Sequence, residues 1–190
     1  VCIVGAGFTG VSAAYHLAKA GQRVVLLDAK RVGWGASGRN GGQLHPGFRQ
    51  DLKWFADTIG QSFAEQIKVA SETALAHIDG LIETLAIPCN RTHGLLTACR
   101  TSRDLDQELA ADAYAHETFG VEQAEVLPAD EATQALGTGG HAGALRDRQG
   151  LPIHPLVFVC ALAEAAEAEG AVIHDGTEVA RIDANELRVE

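Results

Sequence analysis

Gly5, Gly7 and Gly10 fall in the spacing G-x-G-x-x-G, and Asp28 follows 18 residues past the last of them. Glycines at these intervals let a chain turn tightly, let its backbone approach a diphosphate and let a helix pack close on a strand. A carboxylate at that remove can accept hydrogen bonds from a ribose diol. The chemistry implied is dinucleotide binding, with the free N–H groups and about half a positive charge of a helix N-terminus facing the phosphates. The glycine spacing alone is weakly specific, so its surroundings decide.

Those surroundings supply what the motif needs. VCIV is a short apolar, β-branched run, residues 11–20 are alanine-rich with apolar residues near helical spacing, and RVVLLD is a second buried-strand run. Strand, turn, helix and strand in this order force a parallel pair with a right-handed crossover. Ala14, Leu17, Gly21 and Val24 fall where the helix's inner side, its stop and the next strand require small, apolar, glycine and apolar residues. Nucleotide contacts are expected from Gly5, Ala6, Gly7, Phe8, Thr9 and Gly10, and from Asp28 and Ala29 after the second strand. A packing turn that holds no nucleotide is the alternative.

In a plain nicotinamide-binding unit the chain turns soon after the second strand into another crossover helix. Residues 33–47, GWGASGRNGGQLHPG, are too rich in glycine and proline for that. Such a loop can bring backbone donors close to a ligand. Arg39 can screen a diphosphate, and Asn40 and Gln43 can hydrogen-bond a polar ring edge. A diphosphate running onward into a flavin is a ligand of this kind. The alternative is a mobile surface loop.

Further along, residues 51–86 read as helix in two pieces broken near Ile59 and Gly60 and closed by Pro88. THGLLTACR and AGALRDRQG look like strands, with helix over Ser102–Phe119 and a short helix after Pro128 that has Asp130 and Glu131 in its first turn. LPIHPLVFVCALAEAAEAEGAVIHDGTEVARID then resumes the α/β rhythm, with Pro155 near a helix start, Gly170 near its end and two strand runs following. The fold expected is α/β, a Rossmann-like nucleotide-binding domain over 1–86 and 150–190, with the first part of an inserted α+β domain over 87–149. The chain has no methionine, opens on VCIVGAG and stops at RIDANELRVE in mid-pattern. It is expected to be an N-terminal fragment of something longer, inactive alone and with apolar sheet and helix faces uncovered.

VCIVGAGFTGVSAAYHLAKAGQRVVLLDAKRVGWGASGRNGGQ resembles the N-terminal FAD signature of the D-amino-acid oxidase superfamily of FAD-dependent oxidoreductases. GWGASGRNGGQ is especially similar to the branch containing gamma-glutamylputrescine oxidase, and GLPIHPLVFVCALAEAAEAEGAVIHDGTEVARI resembles the family's return to its FAD domain. The likeness is specific over residues 1–43 and 150–182 and loose between them. Asp28 departs from it, since the family more often has the longer glutamate there. The resemblance implies FAD as cofactor, with Ser37, Gly38, Arg39, Asn40, Gly41, Gly42 and Gln43 along the diphosphate and flavin. It implies that Val179 meets the adenine through its backbone, and that residues 91–148 belong to a sheet-rich substrate domain covering the flavin. It further implies a small-molecule substrate, an amine or amino acid, that passes a hydride to flavin N5 and leaves as an imine for water to hydrolyse.

His45 and Arg49 follow the loop closely enough to approach the ring. Arg49 could hold a substrate carboxylate in a two-pronged contact, and His45 could take a proton or orient the amine. Structural roles for both are the alternative. His154 is read as capping or orienting the helix at Pro155. The remaining histidines show no metal spacing, and Cys2, Cys89, Cys99 and Cys160 lack the short pair spacing of a zinc knuckle or redox dithiol. No metal site is expected.

A formal net charge of −10 without a basic stripe argues against a nucleic-acid partner. No apolar run approaches the roughly 20 residues of a membrane span, and Val1 lacks the basic flank of a signal peptide. A cytoplasmic protein with free thiols is expected. Three functions stay open: an FAD-dependent amine or amino-acid oxidase using oxygen, a dehydrogenase passing electrons to a quinone or carrier, and a dinucleotide-binding module with no activity of its own.

Overall fold

The computed structural model of the chain describes residues 1–183 and 188–189; residues 184–187 and 190, at the end of the expected 150–190 segment, lie outside the described residues. In chain order the elements are β1 (Cys2–Val4), α1 (Phe8–Lys19), β2 (Val25–Leu27), β3 (Gln43–Leu44), α2 (Leu52–Thr58), α3 (Gln61–Thr84), β4 (Leu95–Cys99), α4 (Ser102–Phe119), β5 (Glu125–Pro128), α5 (Ala129–Leu136), β6 (Gly143–Asp147), β7 (Leu151–Pro152), α6 (Pro155–Ala168), β8 (Val172–His174), β9 (Ile182–Asp183) and β10 (Arg188–Val189). They gather into two compact units. Residues 1–42, 81–90 and those from 153 onward form the first, and 43–80 with 91–152 form the second.

In the first unit β1, β2 and β8 make a parallel sheet in the order β1-β2-β8, with Ile3, Leu26 and Ile173 in register across it. α1 and α6 pack side by side, and Phe8 meets Phe158 at a ring separation of 5.9 Å. Leu26, Val11, Ala14, Tyr15, Val159 and Leu162 are fully buried. α1 stops because Gly21 adopts φ +78, which lets Gly21 and Gln22 return N–H bonds to Ala18 and Leu17. α6 starts at Pro155, with the His154 ring as its cap, its Nδ1 accepting from the Val157 N–H at 3.3 Å. Val4, Val25 and Val172 are exposed large apolar residues on the strands of this sheet.

Of the two strand runs expected after α6, the first is β8. Residues 177–181 form no strand, and the second run contributes only Ile182–Asp183, paired antiparallel with Arg188–Val189. At its start, the Thr177 N–H is taken by the carbonyl of Asp28, far back in the chain, at 2.8 Å.

The second unit is an antiparallel sheet in the order β4-β6-β5, with Leu127, Ala132 and Ala144 in its core and Leu96 and Leu136 packed against them. The Thr101 side chain and Asp104 form a reciprocal cap at the start of α4, and Gly120 at φ +64 ends it. Residues 43–80 lie with this unit, since β3 pairs with β7 and α2 packs on α4. Gly60, at φ +118, separates α2 from α3.

Candidate functional site

β1 delivers the chain to Gly5, whose φ of +101 suits glycine and little else. A Cβ on Gly10 would overlap the Gly5 carbonyl oxygen and meet Ile3 at 3.4 Å, so α1 approaches β1 this closely only with glycine there. The first rung of α1 is the Val11 N–H to the Gly7 carbonyl at 3.0 Å. The N–H groups of Phe8, Thr9 and Gly10 precede that ladder and cluster at the positive end of the helix dipole. Gly7, the N-cap, has no side chain to satisfy any of them.

Asp28 closes this loop from the end of β2. Its Oδ2 accepts the Ala6 N–H at 2.7 Å and its Oδ1 the Lys30 N–H, also at 2.7 Å. Each carboxylate oxygen has further acceptor capacity, so a ribose diol can share it. The Thr177–Asp28 bond ties down the segment that carries the half-buried Val179 two residues later. Past the carboxyl ends of β2 and β8, where open α/β sheets take their ligands, Ala29, Lys30, Arg31, Trp34, Asp175 and Gly176 line an open depression of about 360 Å³. All but Ala29 were missed from sequence. The available signal was two cations and an aromatic immediately after Asp28.

Residues 33–42 are shaped by α6 and by themselves. A Cβ on Gly33 would lie 2.6 Å from Val159 Cγ1 and 3.0 Å from Leu156 Cδ1, one on Gly38 would overlap the Gly33 carbonyl, and one on Gly42 would overlap the Ile153 carbonyl. The Asn40 amide donates to the carbonyls of Ala36 and Ser37, both at 3.0 Å, and its Oδ1 accepts the Gly42 N–H at 2.8 Å. Its hydrogen bonds thus go to the loop's own backbone. The Arg39 guanidinium stacks 4.4 Å from the centre of the Trp34 ring. Ser37 reaches the glycine loop, its Oγ accepting the Phe8 N–H at 2.9 Å. The structure therefore brings Ser37 to Gly7 and Phe8, and Asp28 to Ala6; Gly41 is exposed, and Gln43 is the first residue of β3 in the second unit.

His45 and Arg49 are exposed residues of the second unit. His45 Nδ1 lies 3.2 Å from the Pro46 carbonyl, which only accepts, so Nδ1 is the donor in that contact. His45 lines a cavity of about 220 Å³ with Phe48, Leu52, Ile67, Val121 and the ion-paired Lys68 and Glu72, whereas Arg49 does not line it. Among the described residues no three His, Cys, Asp or Glu side chains gather as metal ligands, and no helix is long and apolar enough to cross a membrane. Burial pushes the Cys99 and Cys160 thiols up, with nearby carboxylates adding to the effect.

All of residues 1–190 match the family model described as DAO, FAD dependent oxidoreductase. The chain is 34% identical over 183 residues to the gamma-glutamylputrescine oxidoreductase of Escherichia coli, covering 96% of this chain and 42% of that protein. It is 33% identical over 179 residues to the probable oxidoreductase OrdL of Haemophilus influenzae, covering 94% and 42%. Glycine oxidase from Geobacillus kaustophilus matches with a TM-score of 0.75 at 24% identity, over 96% of this chain and 48% of that one, a likeness of fold. The chain thus spans less than half the length of these relatives. Its glycine loop, acid and second loop fit a dinucleotide of that class, and the chain belongs to the FAD dependent oxidoreductase family.

Proposed function

We propose that the protein oxidises an amine or amino acid to an imine with bound FAD, and that oxygen takes the electrons. The observation that carries this reading is the convergence of three separate segments on one helix end: the 5–10 loop, Asp28 and Ser37. FAD, when bound, supplies the two-electron acceptor for the C–H bond beside the nitrogen. In this chain the Thr9 and Gly10 N–H groups would hold the diphosphate, Asp28 would meet the ribose diol, and the depression lined by Trp34 and Asp175 would take the adenosine end, to which Val179 would offer its backbone. Arg39, stacked on Trp34, and Gly41 would add further contacts to the cofactor.

The substrate class is drawn from the name of the Escherichia coli relative, gamma-glutamylputrescine oxidoreductase. On this reading His45 takes a proton from a substrate ammonium, which leaves the nitrogen lone pair free, or orients the amine, and Arg49 pairs with a carboxylate. The first unit is then the FAD-binding part and the second the substrate part. The test is an anaerobic titration of the full-length holoprotein with amines and amino acids while the flavin band is followed. Bleaching by one of these classes is expected, and oxygen uptake on readmission of air identifies an oxidase. A band indifferent to every amine and amino acid would overturn the substrate class, and bleaching without oxygen uptake would overturn the acceptor.

A further inference from the structure

We propose that Trp34 is the stacking platform for the adenine ring of the cofactor, and that Arg39 is a positioning residue that holds the indole in place for it. The proposal rests on the FAD reading of this site and adds to it the side chain that receives the base.

A tryptophan ring carries a large apolar area that a chain normally buries. Trp34 is instead 54% exposed. It lines the depression past the carboxyl ends of β2 and β8, together with Lys30, Arg31 and Asp175. That depression begins at Ala29, the residue after Asp28, so a ribose sharing the Asp28 carboxylate has its base beside it. Among the described residues Trp34 is the one aromatic side chain that lines it. Every nucleobase has a π-face, and stacking on an aromatic side chain is a general way to hold one.

The backbone under the indole is fixed on both sides. The Gly33 N–H donates to the Ala6 carbonyl at 2.9 Å, which ties this loop to the glycine turn, and the Trp34 N–H donates to the Arg31 carbonyl at 3.0 Å. Gly33 is buried against Leu156 and Val159 of α6. The ring itself is held by the Arg39 guanidinium, 4.4 Å from its centre, within reach of a cation–π contact. Arg39 does not line the depression. The guanidinium therefore backs the indole from outside and leaves the cavity side of the ring open, so that guanidinium, indole and adenine would form one stack. A planar guanidinium can do this, whereas a lysine ammonium is a point charge without a face to stack.

The test is a titration of the flavin-stripped full-length protein with FAD and with ADP, which keeps the adenine, ribose and diphosphate but lacks the flavin. Wild type is compared with W34F, W34L, R39A and R39K. W34L is expected to weaken both ligands by the same factor, about tenfold, and W34F to stay within about threefold of wild type, because it keeps an aromatic face. The part of the tryptophan emission that W34F lacks should be quenched by ADP. R39A and R39K should each weaken ADP about two- to threefold, since neither has a planar cation behind the ring. Thermal midpoints of the stripped variants should stay close to wild type, as both side chains are exposed. Unchanged ADP affinity in W34L, W34F as weak as W34L, Trp34 emission indifferent to saturating ADP, or a loss of affinity matched by a collapse of the midpoint would each overturn the platform. R39K with wild-type affinity would overturn the role of Arg39. Wild-type protein that binds neither FAD nor ADP would overturn the FAD reading itself, whereas tight binding of both by wild type and W34L alike would remove Trp34 alone.

Discussion

Asp28 Oδ2 stands 2.7 Å from the Ala6 N–H, 22 residues earlier in the chain. The acid at the end of β2 is thus bonded to the loop that carries the glycines and holds its position; on the proposed reading the same carboxylate also meets the ribose diol. A glutamate, one methylene longer, would have to fold back to make the same bond. Asp28→Asn keeps the shape but loses the charge and one strong acceptor. It is expected to weaken FAD binding roughly tenfold, since charge-assisted bonds contribute about 1.5–3 kcal/mol. Titration of the flavin-stripped protein with FAD checks this, and an unchanged dissociation constant would count against the assigned role.

Gly10 offers a sharper stability test. A methyl group there meets backbone, not a flexible side chain, so α1 and β1 must part to admit it. Gly10→Ala is expected to cost about 3 kcal/mol or more, at the upper end for overpacking, and to show as a large drop in thermal midpoint with and without FAD. Gly35, whose added Cβ meets nothing within 4 Å, serves as the control and should tolerate alanine.

His45 bears on the chemistry alone. If its Nε2 accepts the substrate proton, His45→Ala should lower kcat/KM with amines by about 10²–10⁴-fold. Bound flavin per protein should stay unchanged, because the 5–10 loop, Asp28 and Ser37 are left in place. Steady-state rates and flavin content measured on the same sample decide it. Wild-type kcat/KM in the variant would remove His45 from the mechanism.

Glu125 supplies the pH test. It faces Arg146 across β5 and β6 and accepts from Arg148 at 3.2 Å and Arg146 at 3.1 Å. The Arg148 bond, with Arg146 adding to it, holds the Glu125 carboxyl below the usual carboxylate range. A depressed folded value means that the pair contributes stability above the unfolded carboxylate value of about 4.3, and that this contribution is lost as pH falls through the folded value. The thermal midpoint of wild type should exceed that of Glu125→Gln slightly at neutral pH, and the two should converge on acidification. A gap that widened toward low pH would contradict the sign.

Much of this was legible because the constraints were local. The order β1, α1, β2 follows from glycines and apolar runs a few residues apart, the break between α2 and α3 from Gly60, and the start of α4 from Thr101 and Asp104. What was hidden depended on partners far along the chain. Gly33, Gly38 and Gly42 read as glycines kept open for a ligand, yet each meets α6 or the residues just before it, or another turn of its own loop. Asn40 reads as a contact for a ring edge, yet its hydrogen bonds go to the loop. Composition placed residues 43–80 with the first part of the nucleotide-binding domain, since it carries no trace of the β3–β7 pairing that holds them in the second unit. The 177–181 segment has strand composition, but its first N–H is already committed to Asp28.

The central claim is that the 5–10 loop, Asp28 and the 33–42 loop form one FAD site. The most direct measurement is the visible spectrum and flavin stoichiometry of the purified full-length protein, before and after incubation with FAD, beside Asp28→Asn. A flavin band approaching one FAD per chain in wild type, and a reduced one in the variant, is the expected result. Wild-type protein that neither carries flavin nor takes it up would contradict the reading of both loops.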